Sequence, residues 1–155
     1  MSKSLKRVRA ALQAAGIDAD IRETHLARTA EDAATAVGCT VDQIAKSMIF
    51  RGETSGAAIL FLTAGGNRVD PAKAAALAGE GLGKADAALV RDQTGFAIGG
   101  VAPVGHLNPI RAFMDPRLAE FDTVWAAAGT PHHVFAIEPA VLIALTGAQT
   151  GHFTA

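Results

Sequence analysis

Two stretches of this chain have residue types and spacing suited to holding an anionic or carbonyl-bearing ligand. The first is Ala45-Lys46-Ser47-Met48-Ile49-Phe50. A strand's period of two puts Lys46 with Met48 and Phe50 on one face, and Ser47, Ile49 and Arg51 on the other. A lysine on the apolar side of a strand either snorkels outward at a sheet edge or points its ammonium into a polar cleft. In a cleft it would be a cation for a phosphate or a carboxylate. The second stretch is Gly-Phe-Ala-Ile-Gly-Gly-Val-Ala-Pro-Val-Gly-His, residues 95–106, and no charged residue occurs between Asp92 and Arg111. Gly99, Gly100 and Gly105 leave the main chain uncovered, while Pro103 fixes one φ and removes one N–H. A segment of this kind is either a packed turn or a place where backbone meets substrate. His106, at its end, is placed to touch a ligand there or to cap the turn.

The usual catalytic sets are missing. There is no Gly-x-x-x-x-Gly-Lys, and residues 95–105 lack the Gly-x-Gly-x-x-Gly spacing. Asp115, Glu120, Asp122 and Glu138 show no pairing that favours acid/base work. His132 and His133 are adjacent, so on a strand they face opposite ways and share a metal poorly. His25, His106 and His152 are scattered, and neither a metal nor a cofactor is expected. Cys39, between Gly38 and Thr40 at a helix exit, reads as a packed thiol ahead of a nucleophile.

The elements that must position these residues can be read in order. Ser4 is a cap for a helix running to about Ala15, with Leu5, Val8 and Leu12 on one face and a basic side of Lys3, Lys6, Arg7 and Arg9. Solvation is the ordinary role of such a side, and phosphate contact the other. Asp20–His25 is strand-like. Thr29 opens a helix over Ala30–Val37 that Gly38 ends, and a Thr40/Gln43 capping box predicts a helical turn from Val41 to about Ala45. Lys46–Arg51 and Ala57–Thr63, joined by Gly-Glu-Thr-Ser-Gly, form a hairpin. Asp70-Pro71 starts a helix through Leu77. Asp86 caps another that Gly95 closes. Strands follow at Ile110–Met114, Thr123–Ala127 and His133–Ile137, with Gly129-Thr130-Pro131 as a second glycine-proline corner. Glu138-Pro139 begins the last helix, ending near Thr146. Helices and strands intermix without a regular strand-helix-strand period. That pattern points to an α+β fold with a mixed, largely antiparallel sheet flanked by helices.

The 155 residues suffice for one domain, 1–155, and half of them are apolar, which is globular composition. With 14 basic against 15 acidic side chains the net charge is −1. A protein living on duplex DNA would show a basic excess, so any nucleic-acid contact is expected to be small and local. No apolar run approaches a membrane span, and the basic N-terminus is not followed by a signal peptide's apolar core. One cysteine fits a reducing compartment, and the expected location is the cytoplasm.

Taken together, Asp-Gln-Ile-Ala-Lys46-Ser-Met-Ile-Phe, Gly99-Gly-Val-Ala-Pro-Val-Gly105 and Ala128-Gly129-Thr130-Pro131 resemble the YbaK/ProX family. These are free-standing trans-editing domains related to the editing domain inserted in bacterial prolyl-tRNA synthetase. The likeness runs from Arg28-Thr29-Ala30-Glu31 through Asn67-Arg68-Val69-Asp70 to Leu145-Thr146-Gly147-Ala148. It implies hydrolysis of the ester joining a small wrong amino acid to tRNA, typically tRNA(Pro), with prolyl-tRNA synthetase as a further partner. Lys46 matches the lysine that holds the terminal adenosine's phosphate. Gly99, Gly100 and Gly105 match the loop lining the aminoacyl pocket, and Gly129 and Pro131 the second loop of its wall. Around them Val101, Pro103, His106, Thr130, Met48 and Phe50 are the expected substrate contacts. Backbone N–H groups at Gly99 and Gly100 would stabilise an oxyanion, which accounts for the missing acid/base pair. The alternative is a non-catalytic module that binds an aminoacyl or nucleotide end while docked on a synthetase.

Overall fold

The computed structural model describes residues 2–25, 27 and 29–155, so the Arg28 of the resemblance lies outside the described residues. Among the described residues five α-helices are present: α1 (Lys3–Ala14), α2 (Ala30–Val37), α3 (Pro71–Ala78), α4 (Ala87–Thr94) and α5 (Pro139–Thr146). Eight strands form one sheet: β1 (Ile21–Glu23), β2 (Ile44–Gly52), β3 (Ala58–Ala64), β4 (Leu82–Lys84), β5 (Arg111–Met114), β6 (Val124–Ala127), β7 (His133–Ile137) and β8 (Gln149–Thr150).

The sheet order is β1-β7-β6-β2-β3-β5-β8, with β4 paired to β2 outside that path. The pairs β1/β7, β2/β3, β2/β4 and β6/β7 are antiparallel, while β2/β6, β3/β5 and β5/β8 are parallel. The expected mixed α+β sheet is therefore what forms. β3 is buried along its whole length, as its unbroken Ala-Ile-Leu-Phe-Leu-Thr-Ala run requires of a strand covered on both faces.

The two faces bury different clusters. On one, Leu5, Val8 and Leu12 of α1, Val90 of α4 and Leu142 of α5 pack over Leu60 and Leu62. On the other, Ala74 and Ala78 of α3 meet Ile59, Phe61, Phe113 and Phe153. A third cluster joins Ala33 and Ala34 of α2 to Ile44, Trp125 and Val134. Each fully buried Leu, Ile or Phe contributes roughly 1.5–3 kcal/mol.

Local differences from the sequence reading have physical causes. Ser2, not Ser4, caps α1, its hydroxyl accepting from the Leu5 N–H. The turn after Thr40 is 3₁₀ and stops at Gln43, because Ile44 and Ala45 pair with Trp125 and Ala126 and so open β2. Strands β4 and β8, three and two residues long, carry no periodic pattern of their own and exist only through their partners.

Candidate active site

β2 is the strand on which the site is built. Its N-terminal end pairs with β6 at residues 44–45, and its C-terminal end pairs with β4 at residues 50–52. Among the described residues, no strand pairs with 46–49 on that side. The gap between β6 and β4 is a cleft, and the glycine loop comes down into it.

Lys46 sits in this gap. Its Nζ donates to the Asn67 carbonyl at 2.7 Å. That carbonyl is held in place: Asn67 Nδ2 donates to Asp115 Oδ2 at 2.9 Å, and Asp115 is 2 % exposed. The same carboxylate oxygen accepts from the Ala64 N–H, and its other oxygen from the Arg117 N–H. Gly66 N–H donates to Asp42 Oδ1 and fixes the turn that carries Asn67. Burial lowers the Lys46 ammonium from its ordinary value, with Glu31 pulling it back up and Arg68 pushing it down. A cation held by one neutral carbonyl in a partly desolvated place has donors left for an anion.

The glycine loop has the shape its sequence demands. Gly99 has φ +94°, and Gly100 N–H donates to the Ala97 carbonyl at 3.1 Å. This is a four-residue turn with a positive-φ residue third, the geometry of type II. Gly100 has a different reason to be glycine: a Cβ there would lie 2.9 Å from Cα and C of Thr130. The loop and the Gly129-Thr130-Pro131 corner are thus in main-chain contact. Gly129, also at φ +94°, is in turn pressed against the Ser4 carbonyl of α1.

Around Lys46 these pieces enclose a cavity of about 270 Å³, with Met48, Gly99, Val101, Thr130 and Pro131 in its wall. The rest of the wall is mostly small and apolar, including Ala30, Ala33, Ala45, Ala126 and Ala127. Two further spaces open from it. One, about 350 Å³, lies among Lys46, Glu31, Arg68 and the Gly65–Asn67 turn. The other, about 520 Å³, is apolar and lies between β2 and Leu82, Val90 and Ile98, with Phe50 in its wall and Met48, Gly99 and Val101 shared between the two.

Of the residues expected at the site, Lys46, Met48, Gly99, Val101, Thr130 and Pro131 meet in one cavity, with Gly100 and Gly129 behind it as the points of close approach. Phe50 is one chamber away, edge-on to Phe61 at 5.6 Å. Pro103, Gly105 and His106 are not in this cavity. They line a separate cavity with Ala11, Leu60 and Leu145. His106 Nε2–H donates to the Ala102 carbonyl at 2.6 Å and its ring stands edge-on to Phe96, so it braces the loop from below. Arg7 is spent in the same place: Nε donates to the Gly105 carbonyl and a terminal NH2 to that of Gly95, with the guanidinium 4.5 Å from the Phe96 ring centroid. The expected Gly99/Gly100 donor pair changes too. Gly100 N–H is used in its own turn, whereas no described residue accepts from the N–H of Gly99 or Val101.

Three residues escaped the sequence reading. Asn67 and Asp115 position Lys46; in the sequence Asn67 stood only within the Asn67-Arg68-Val69-Asp70 match, and Asp115 only as an unpaired carboxylate. His133 lines the cavity with its Nδ1 2.7 Å from Thr130 Oγ1. Burial raises the Cys39 thiol, which donates to the Thr40 carbonyl, as a packed thiol does.

Residues 24–145 match the family described as aminoacyl-tRNA editing domain. The chain belongs to that family. It is similar to a solved structure described as "a putative trans-editing enzyme for prolyl tRNA synthetase", at 46% identity and TM-score 0.93 over 100% of this chain and 99% of that one. The solved "hypothetical protein APE2540" is 25% identical with TM-score 0.87, over 96% and 99% of the two chains. "Uncharacterized protein YwhH" of Bacillus subtilis (strain 168) is 33% identical over 137 residues, 88% of this chain and 87% of its own. As an editing domain, the protein has its glycine turn, its second corner and its half-buried lysine around one small apolar hollow.

Proposed function

We propose that this editing domain is a trans-acting hydrolase that deacylates tRNA carrying a small wrong amino acid, with tRNA(Pro) as the adaptor. The observation that carries the reading is Lys46 in the wall of the same cavity as Gly99, Val101 and Thr130, with its Nζ held at the Asn67 carbonyl beside the adjoining polar space. The polar space beside Lys46 and Arg68 suits the phosphate of the terminal nucleotide, and the alanine-walled cavity suits a compact side chain.

The chemistry asks little of side chains. An aminoacyl ester is already activated. Water adds to the carbonyl carbon, the C–O bond to the ribose breaks, and the water's proton ends on the ribose oxygen. What the site supplies is position and a place for negative charge. Lys46 anchors the phosphate as a point charge. Gly99 and Val101 line the cavity and no described residue accepts from their N–H groups, which supports a role for them as oxyanion donors, and one donor of this type is worth roughly 10²–10³ in rate. Editing has a purpose because a synthetase pocket separates amino acids differing by one methylene by only ~10–200-fold.

The deciding experiment is a deacylation screen of alanine, serine, cysteine and proline on tRNA(Pro) and tRNA(Ala). Release of a small non-cognate residue from tRNA(Pro), with proline spared, is expected. Lys46→Ala should lose about 10–100-fold in kcat/KM, the worth of one charge-assisted hydrogen bond. Parent-like hydrolysis by Lys46→Ala across the panel would remove that residue from the site. Binding of aminoacyl-tRNA that needs Lys46, with no hydrolysis of any ester, would mean a recognition module instead.

A further inference from the structure

The open stretch of β2 does more than make room for Lys46. Gly52 N–H donates across to the Ala57 carbonyl on the β3 side, and Glu53 N–H donates to the Gly81 carbonyl on the β4 side. Main-chain groups alternate sides along an antiparallel strand. Even-numbered residues of β2 therefore bond to β3, and odd-numbered ones turn toward the gap between β6 and β4. Ser47 and Ile49 are the odd residues with no partner strand there, and no bond from the glycine loop reaches the Ser47 carbonyl or the Ile49 N–H among the described residues. An acceptor and a donor two residues apart thus face one way, into the apolar chamber walled by Met48, Leu82, Val90 and Ile98.

Resting on the reading above, we infer that this chamber takes the base of the RNA's terminal adenosine, read by the strand edge itself. An adenine edge carries an amino donor at N6 beside an acceptor at N1, the complement of a strand carbonyl and the N–H two residues on. A purine is flat and apolar on both faces, which suits a slot between the strand edge and an aliphatic loop. Ile98 at 60% and Met48 at 38% exposed are the large hydrophobic side chains standing open at this site, and a stacked base would cover both. The two chambers divide the substrate by size: the aminoacyl group enters the smaller hollow, and the base enters the larger one next to it. Lys46 stands at the junction with the polar space, where the phosphate between base and chain must pass. The strand reads a feature shared by every tRNA, so amino-acid choice is left to the small cavity.

The test uses the intact protein and the trinucleotide CCA, with CCI and CCC as probes. Inosine exchanges the donor and acceptor of the adenine edge; cytidine is smaller. In ¹⁵N and methyl spectra, CCA should move the Ser47 and Ile49 amides and the Met48 and Ile98 methyls, and bind at least about fivefold more tightly than CCI or CCC. Ile98→Asn, on an exposed side chain, should weaken CCA several-fold while leaving CCC unchanged. Equal affinity for the three trinucleotides, shifts confined to Lys46 and Arg68, shifts around 103–110, or no saturable shift at all would overturn the assignment. Deacylation is read separately. Hydrolysis with no base preference removes this inference and keeps the proposed function; base-selective binding without hydrolysis does the reverse.

Discussion

At Gly99 and Gly100, neighbouring glycines are required for unrelated reasons, and substitution separates them. Gly99 has positive φ with open space around its absent Cβ, so Gly99→Ala should cost about 1–2 kcal/mol of conformational strain and little packing. Gly100 has ordinary φ but touches the Thr130 main chain. Gly100→Ala must push two backbone segments apart, at about 1–3 kcal/mol, and should reduce deacylation far more than its stability loss suggests. Denaturant unfolding and single-turnover deacylation of both variants check the contrast. Equal activity losses would mean that the loops' contact does not set the cavity. Lys46 belongs at this scale as well. Lys46→Arg keeps the charge but is longer and forked, so it should recover only part of the activity lost in Lys46→Ala.

Elements place the residues. The loop after α4 is pinned from below by His106 and Arg7, away from the Lys46 cavity. Burial lowers the His106 imidazole from its ordinary value, and Arg7 adds to this, against the hydrogen bond to Ala102 that raises it. The unfolded chain therefore binds the proton more readily than the folded one. Stability is fully present above the ordinary histidine range and declines as pH falls through it toward the lower folded-state value. His106→Gln keeps an N–H donor for Ala102 without titrating. Its unfolding free energy should change less between pH 7.5 and pH 5 than the parent's, a difference measured by urea titration at each pH. Identical slopes would place the pH sensitivity elsewhere. Arg7→Ala removes two hydrogen bonds and a ring contact from the same brace and should cost about 2 kcal/mol, seen as a lower melting temperature.

At the scale of the molecule, a net charge of −1 and a cleft with Lys46 and Arg68 beside one polar space imply few phosphate contacts. Two contacts to a single strand predict a slope of about −1.4 in log K against log salt, and Lys46→Ala should flatten it by about 0.7. Titration of CCA at several salt concentrations reads both values. A slope several times steeper would mean a wider basic footprint. Among the described residues, no helix is long and apolar enough to cross a membrane.

The sequence by itself determined the local grammar. Thr29 and Gly38 bound α2, Asp86 and Gly95 bound α4, and Pro139 opens α5, because caps and positive-φ stops act within a few residues. It also determined that Lys46 shares a face with Met48, since alternation is a property of the strand alone. Tertiary structure decided which of the glycines lie at the Lys46 cavity. Gly105 and His106 lie only a few residues beyond Gly99, yet the chain turns under itself there and α1 seizes it through Arg7. The gap in the sheet was equally invisible. It exists because β4 and β6 pair with opposite ends of one strand, and pairing between distant segments leaves no mark in the residues that stay unpaired.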